Sequence, residues 1–171
     1  MKSKNPLVLT ALAILLLCGA ACEDHQTTSP CHSVPELPDR NHSKFSIHQG
    51  LWGDVWFWSG DFMPACITGT VKPVSRQVLV HALTSYDSVV VAGDGHTFFS
   101  EIHTPLIATT WSDFSGFFQV PLPPGTYSVF VREGSLFYAN LSDGYRNICP
   151  VTVVADSVSG IRFDINYEAS W

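Results

Sequence analysis

The chain of 171 residues has the length of about one domain, and a body of this size can bury roughly two thirds of the surface of its unfolded chain. It carries 9 basic and 15 acidic residues, a net charge of −6. An acidic surface repels phosphate backbones, so nucleic acid is excluded as an expected partner. Aromatic residues are plentiful, Pro and Gly recur throughout, and no long segment repeats apolar residues at helical spacing, so we expect many short strands.

Residues 1–21 are predicted to be an export signal. The basic start "MKSKN" precedes the apolar run "PLVLTALAILLL", which is shorter than the about 20 residues that a membrane-spanning helix needs. The small residues Ala20 and Ala21 before Cys22 resemble a bacterial lipobox, in which the cysteine sulfur receives a diacylglycerol and becomes the new amino terminus. The alternative is ordinary cleavage after Ala21, which leaves Cys22 as a thiol.

Residues 22–44 are predicted to form a flexible tether. They are rich in Pro, Ser, Thr and charge, and such a segment cannot bury enough apolar surface to offset its ordering entropy. The acidic pair Glu23 and Asp24 resembles the sorting signals of lipoproteins in Bacteroidetes-like lineages. This resemblance implies attachment to the bacterial outer membrane or cell surface through the lipid anchor and leaves the membrane leaflet open. Two or three acyl chains, each contributing about 0.8 kcal/mol per buried methylene, make attachment durable.

From residue 45 onward the sequence predicts a succession of strands. The segment "LWGDVWFW" (51–58) is apolar on both faces, so this strand must be covered on both sides or must present its tryptophans outward. The segments "RQVLVHAL" (76–83) and "SVVVA" (88–92) follow. Near the end, "IRFDIN" (161–166) alternates apolar and polar residues, which is the pattern of an antiparallel sandwich.

Two turn signals divide the segment 109–131. In "SDFSG", Asp113 is expected to cap a type I turn whose fourth position is Gly116. In "PPG", Pro124 presets the second position of a type II turn, and Gly125 supplies the positive φ needed at the third. The segment is therefore predicted to form three strands joined by two turns, with successive strands edge to edge.

The turn and core positions of this segment follow one another in a fixed order: Thr110, Asp113, Gly116, Phe118, Leu122, Pro123, Gly125, Tyr127 and Val129. Their order and spacing resemble the carboxypeptidase regulatory-like domain, a transthyretin-like β-sandwich of about seven antiparallel strands. The resemblance covers residues 67–166 and begins with "ITGTVKPVSRQVLVHAL" (67–83). It implies an all-β sandwich over residues 45–171, to which residues 50–64 add an extra N-terminal strand region.

The family name does not imply an activity here. A metallocarboxypeptidase needs a separate catalytic domain, for which we expect no room in this chain. The sequence has no HExxH, GxSxG or CxxC motif and no phosphate-binding glycine loop before a helix. We therefore expect a noncatalytic binding or structural module without catalytic residues, metal or cofactor.

The alternative is a small metal-assisted hydrolase of the cell envelope. Glu101 and His103 lie two residues apart and would share one face of a strand, where His96 or Asp94 could join them around a cation. In the alternative interpretation, the same residues are exposed side chains of a solvated loop on an acidic protein and bind no cation. Three aspartates could converge on calcium or act as separate turn caps: Asp94, Asp113 and Asp143.

An aromatic platform is the other candidate site, formed by Trp52, Trp56 and Trp58. Flat aromatic faces stack on the apolar faces of sugar rings and exclude water, so the platform would bind a glycan or another envelope protein. Covering of the sheet is the alternative interpretation of the same residues.

The cysteines bear on stability. After Cys22 is set aside, an exported chain keeps Cys31, Cys66 and Cys149 in an oxidising compartment. Cys66 precedes the first strand of the resemblance and Cys149 a late one, so these two are candidates for a disulfide, with Cys31 spare. Such a bond would close a loop of about 80 residues and contribute roughly 4 to 5 kcal/mol in the chain-entropy model.

Overall fold

The computed structural model describes residues 41–64 and 66–171, and strands make up almost all regular structure in this part of the chain. A short 3₁₀ turn, Tyr86–Ser88, lies among them. Numbered in chain order, the strands are β1 (Gly50–Asp61), β2 (Thr70–Pro73), β3 (Gln77–Ala82), β4 (Val89–Val91), β5 (Phe98–Ile102), β6 (Leu106–Trp111), β7 (Phe117–Pro121), β8 (Gly125–Glu133), β9 (Leu136–Tyr138), β10 (Pro150–Val153) and β11 (Val158–Ser170).

The strands form two sheets that share one core. The smaller sheet has four strands in the order β11-β1-β2, with β7 also paired to β1. The larger sheet has seven strands in the order β4-β5-β9-β8-β3-β6, with β10 also paired to β8. The predicted all-β sandwich is confirmed, with more strands than the expected seven.

Strand β1 is the central strand of the smaller sheet. It pairs in parallel with β11 along its length, and its other edge is shared by β7 and β2, both antiparallel to it. The region at 50–64, predicted as an addition to the sandwich, therefore supplies the middle of one sheet. The antiparallel prediction holds for every strand pair of the described residues except β1 with β11.

The core lies between the two sheets and follows the predicted alternation of side chains. In β11, Phe163 and Ile165 are buried and Arg162 is exposed, as the "IRFDIN" pattern predicts. The facing sheet contributes four fully buried valines of paired strands: Val78, Val80, Val129 and Val131. Burial of each such side chain contributes about 1.5 to 3 kcal/mol, and β-branched residues also suit the extended backbone.

The first predicted turn is confirmed. The Oδ1 atom of Asp113 accepts hydrogen bonds from the backbone N–H groups of Ser115 (2.7 Å) and Phe117 (3.0 Å). The N–H of Gly116 donates to the carbonyl of Asp113 (2.9 Å), and Gly116 has a φ of 81°. A glycine is needed there, since few other residues adopt this φ without strain.

The second predicted turn is wrong in its geometry. Gly125 does not have a positive φ but begins β8 in extended conformation. The reversal is fixed instead by Tyr127, whose hydroxyl donates to the carbonyl of Pro123 (2.8 Å). This contact resembles the tyrosine corner of other sandwiches.

Strands β6, β7 and β8 do not lie edge to edge, which corrects a further prediction. Strand β7 belongs to the smaller sheet, whereas β6 and β8 belong to the larger one and are separated by β3. Each turn therefore carries the chain from one sheet to the other. Turn residues determine that the chain reverses, but they do not determine which strand becomes its neighbour.

Part of the predicted tether belongs to the packed body. Asn41 is fully buried, donates to the carboxylate of Asp54, and donates to the carbonyl of Ser115 at 3.1 Å. Lys44 donates to the hydroxyl of Ser115 at 2.7 Å. The sandwich therefore includes residues before 45. The signal peptide, Cys22 and the rest of the tether lie outside the described residues.

The predicted disulfide between Cys66 and Cys149 is wrong. Cys66 is disulfide-bonded, whereas Cys149 is a free cysteine. Spacing along the sequence placed both residues next to strands, but it did not determine their distance in space.

Cys149 is expected to resist alkylation in the folded protein. Burial raises the pKa of its thiol to about 12, so the reactive thiolate is absent at pH 8. Peptide mapping after iodoacetamide treatment without reductant should show Cys149 unmodified in buffer and modified in urea. Modification of Cys149 at equal rates in both solutions would contradict this.

Candidate functional site

The predicted aromatic platform is wrong, because its three side chains are buried. Trp52, Trp56 and Trp58 are exposed by 9%, 3% and 7%. Within this set, Trp58 donates its indole N–H to the carboxylate of Asp164 (2.9 Å). Covering of the sheet, the alternative interpretation, is the correct one.

Trp52 is covered by two residues, one inside the predicted tether and one directly after it. The ring of Phe45 stacks on Trp52 at a centroid distance of 5.7 Å, and His42 meets Trp52 edge-on at 5.5 Å. Trp58 is covered by Phe62, at 5.2 Å between ring centroids. These tryptophans therefore stabilise the fold and are unavailable for stacking on a ligand.

The candidate metal ligands are not brought together into a site. His103 and Glu101 face each other across 3.3 Å, and both are more than half exposed. Across residues 41–64 and 66–171, no three His, Cys, Asp or Glu side chains are close enough to hold a metal ion. The pair has the geometry of a solvated surface contact.

Two of the three aspartates serve as turn caps, as one alternative predicts. In Asp143, Oδ1 accepts from the N–H groups of Tyr145 (2.8 Å) and Asn147 (2.9 Å), and Oδ2 accepts from the Asn147 amide (2.8 Å). The Asn147 side-chain hydrogen bond is the main cause that lowers the pKa of Asp143. Partial burial raises the pKa of Asp113, but hydrogen bonds from Ser115 and Phe117 outweigh it, so that this pKa is also lowered.

A cleft of about 410 Å³ opens between β11 and the segment that joins β9 to β10. Its walls combine apolar side chains with one acidic and one basic group: Leu141, Ser142, Asp143, Cys149, Pro150, Ile161 and Arg162. This volume lies within the range of small-molecule sites. Sequence reasoning missed the cleft because its two walls are separated along the chain and carry no motif.

The loop beside the cleft is hydrogen-bonded at its base and at its tip. Its base is tied by hydrogen bonds from the N–H of Ile148 to the carbonyl of Thr84 and from the N–H of Cys149 to the carbonyl of Leu141, each 2.8 Å. The Asp143 cap fixes its tip, where Tyr145 is 87% exposed. A rigid loop that presents an exposed aromatic ring is suited to binding, because little entropy is lost when a ligand contacts it.

The charged groups of the cleft are already engaged by the protein. Both carboxylate oxygens of Asp143 accept hydrogen bonds from its own loop, and Arg162 donates to Asp164 at 2.9 Å. A general base needs an oxygen free to receive a proton from its substrate. The arrangement is therefore better suited to recognition than to acid–base chemistry.

His81 is a buried histidine that sequence reasoning did not single out. Its Nδ1 lies 3.0 Å from the carbonyl of Thr104, and its ring contacts Phe130 and Phe137 edge-on at 5.6 and 6.3 Å. Among the described residues, Nε2 has no hydrogen-bond partner. Burial lowers the pKa of His81, although the Thr104 contact opposes this.

The free energy of unfolding is expected to fall as the pH is lowered from 6.5, because His81 gains its proton more readily in the unfolded chain. One such group contributes up to about 1.4 kcal/mol per pH unit, down to its lowered pKa. Urea titrations between pH 7 and pH 5.5 should show this slope in the wild type and a smaller slope in His81→Phe. The exposed control His103→Asn should keep the wild-type slope, and an unchanged slope in His81→Phe would contradict the assignment.

The fold places the chain among all-β sandwich proteins. No protein-family model, no curated protein and no solved structure matches it. The residues that the structure describes include no helix long and apolar enough to cross a bilayer.

Proposed function

We propose that the protein is a noncatalytic lipoprotein of the bacterial cell envelope. Its sandwich, similar to the carboxypeptidase regulatory-like domain, acts as a binding module, and acylated Cys22 holds it at the outer membrane or cell surface. The observation that carries the binding role is the cleft of about 410 Å³ beside the rigid loop that presents Tyr145.

The roles of the ionisable side chains support a module without chemistry of its own. Asp113 and Asp143 hold turns, and His81 lies under aromatic rings. The alternative hydrolase depends on Glu101 and His103, and no observation in the described residues adds a third group to this pair. We therefore do not propose it.

The proposed ligand is a glycan of the cell wall or of the surroundings. Tyr145 offers an exposed ring on which a sugar can stack. Arg162 uses its Nε–H on Asp164, and its other guanidinium N–H groups can donate to hydroxyl groups at the cleft. A protein partner is the competing outcome, in which an array of glycans gives no binding.

Glycan-array binding tests the ligand class. Binding should be lost or reduced at least about tenfold in Tyr145→Ala, which removes the stacking surface. Phe114→Ala is the matched control, since Phe114 is also exposed but lies in the β6–β7 turn. Glycan binding that Tyr145→Ala leaves unchanged would contradict the proposed site.

Metabolic labelling with an alkyne fatty acid tests the anchor separately. We expect label on the wild type and on Cys18→Ser, but none on Cys22→Ser, since a lipobox acylates one defined cysteine. A wild-type protein without label would contradict the lipoprotein assignment. It would leave the glycan experiment unaffected.

A further inference from the structure

Strand β6 is an exposed edge of the larger sheet. In the described part of the chain it pairs with β3 on one side and with no strand on the other. Its side chains Leu106, Ile107 and Trp111 are exposed by 53%, 44% and 64%. An edge strand with unpaired backbone groups and apolar side chains is a template for pairing with another chain unless something protects it.

The opposite edge of the same sheet, strand β4, is shorter than β6 and is flanked by acidic residues. Strand β4 has only three residues, its pairing with β5 is irregular between Val90 and Val91, and Asp87 and Asp94 flank it. Short length and charge both disfavour pairing, whereas a register shift occurs in both edge strands. Strand β6 has six residues, and the segment 104–112 carries no charged side chain.

The direction of the backbone N–H and C=O groups shows which residues of β6 can hydrogen-bond to a further strand. The N–H of Ser112 donates to the carbonyl of Arg76 (2.9 Å), so alternate residues before it also turn their backbone groups toward β3. The residues between them, Thr109 and Trp111, then turn theirs outward. The β3–β6 register shifts between Ala108 and Leu106, so that Ile107 has no partner in β3, and Ala108–Trp111 is regular.

We propose that β6 pairs with β6 of a second copy of this chain, in antiparallel orientation about a two-fold axis through Thr109. This register sets Thr109 opposite its own copy and Trp111 opposite Ile107 on both sides of the axis. Thr–Thr pairs and aromatic–β-branched pairs are both favourable across antiparallel strands. One continuous sheet then runs through both copies.

The charge distribution favours a second copy at this edge. Each chain has a net charge of −6, so two copies repel each other over most of their surfaces. The uncharged segment 104–112 lets the copies approach without opposing like charges. The β4 edge would bring Asp87 and Asp94 of both copies together.

The pairing is weak in solution and does not depend on acylation. A single pair of short strands covers less than the about 800 Å² per partner of a standard interface, which places the dimer among reversible associations. Confinement of both copies to one membrane raises their effective concentration and strengthens it.

Sedimentation equilibrium of the chain from residue 22 onward, carrying Cys22→Ser, tests the proposal at concentrations up to about 1 mM, where associations near −4 kcal/mol are detectable. Thr109→Lys sets two like charges face to face and should raise the dissociation constant at least about tenfold. Val90→Lys is the matched control, since it places the same charge on an exposed side chain of the opposite edge and should leave the constant unchanged. Both positions are exposed, so both variants are expected to fold.

Cross-linking tests the register. Thr109→Cys should form covalent dimers with a short bis-maleimide, and Val90→Cys should not, because only position 109 meets its own copy. Buried Cys149 and disulfide-bonded Cys66 should not compete for the reagent. A chain that stays monomeric, as it would if β6 met a different protein, overturns the proposal. So does a dimer that Thr109→Lys leaves intact or that Thr109→Cys does not cross-link.

Discussion

Replacing Gly53 with alanine is expected to lower the free energy of unfolding by about 3 kcal/mol, at the upper end of overpacking effects. A Cβ atom at this position of β1 would lie 2.6 Å from the carbonyl oxygen of Ile161 and 2.7 Å from the ring of Phe118. Ile161 lies on the paired strand β11, so its backbone cannot move alone. Phe118 is buried in the core, where the ring has little room to turn.

Gly144→Ala is the matched control for this experiment. A Cβ at Gly144 meets nothing within 4 Å, so the same substitution should change the stability little. Adding Phe118→Leu to Gly53→Ala should cost less than the sum of the two single changes, because the shorter side chain relieves part of the clash. Urea denaturation gives the free energy of unfolding of the three single variants and of the double variant. Equal losses of stability for Gly53→Ala and Gly144→Ala would show that the Phe118 ring does not constrain β1.

Glu133→Gln is expected to lower the free energy of unfolding by about 2 kcal/mol. The Glu133 side chain is 9% exposed, pairs with Arg76, and accepts a hydrogen bond from the hydroxyl of Tyr167 at 2.9 Å. Removing its charge leaves Arg76 without a counterion beside the ring of Phe57. Since Arg76 is 31% exposed, water compensates part of the loss and the effect stays below that of a fully buried pair.

Asp87→Asn provides the comparison for Glu133→Gln, because the Asp87–Arg146 pair spans 3.3 Å and is largely exposed on both sides. We expect a change below about 0.5 kcal/mol there. Tyr167 gives a second measurement: burial, then the hydrogen bond and charge of Glu133, raise its pKa to about 12. Ultraviolet titration should show this pKa lowered in Glu133→Gln, and an unchanged pKa together with unchanged stability would contradict the assigned role.

Local signals in the sequence predicted local structure well. The Asp113 turn follows from residue types within five positions, and its hydrogen bonds are those that a capping aspartate makes. The alternation in β11 likewise depends on neighbouring residues and predicted the burial of Phe163 and Ile165. The all-β class follows from such patterns repeated along the chain.

Features that depend on distant residues were predicted poorly. Whether a tryptophan of β1 is exposed depends on which distant segment packs over it. Trp52 is covered by the rings of His42 and Phe45, and the polar sequence around these two residues did not indicate this contact. The pairing of Cys66 depends on a distance in space that spacing does not supply. The cleft joins Asp143 to a strand near the end of the chain, so no local motif marks it.

The parallel pairing of β1 with β11 determines when folding can finish. The first strand of the described chain needs the last one as its neighbour, so one sheet stays incomplete until synthesis has reached the C-terminal residues. Pairing over so large a separation makes folding slow. A nascent chain that ends before β11 therefore leaves one edge of β1 without its neighbour, whatever the rest of the chain has already formed.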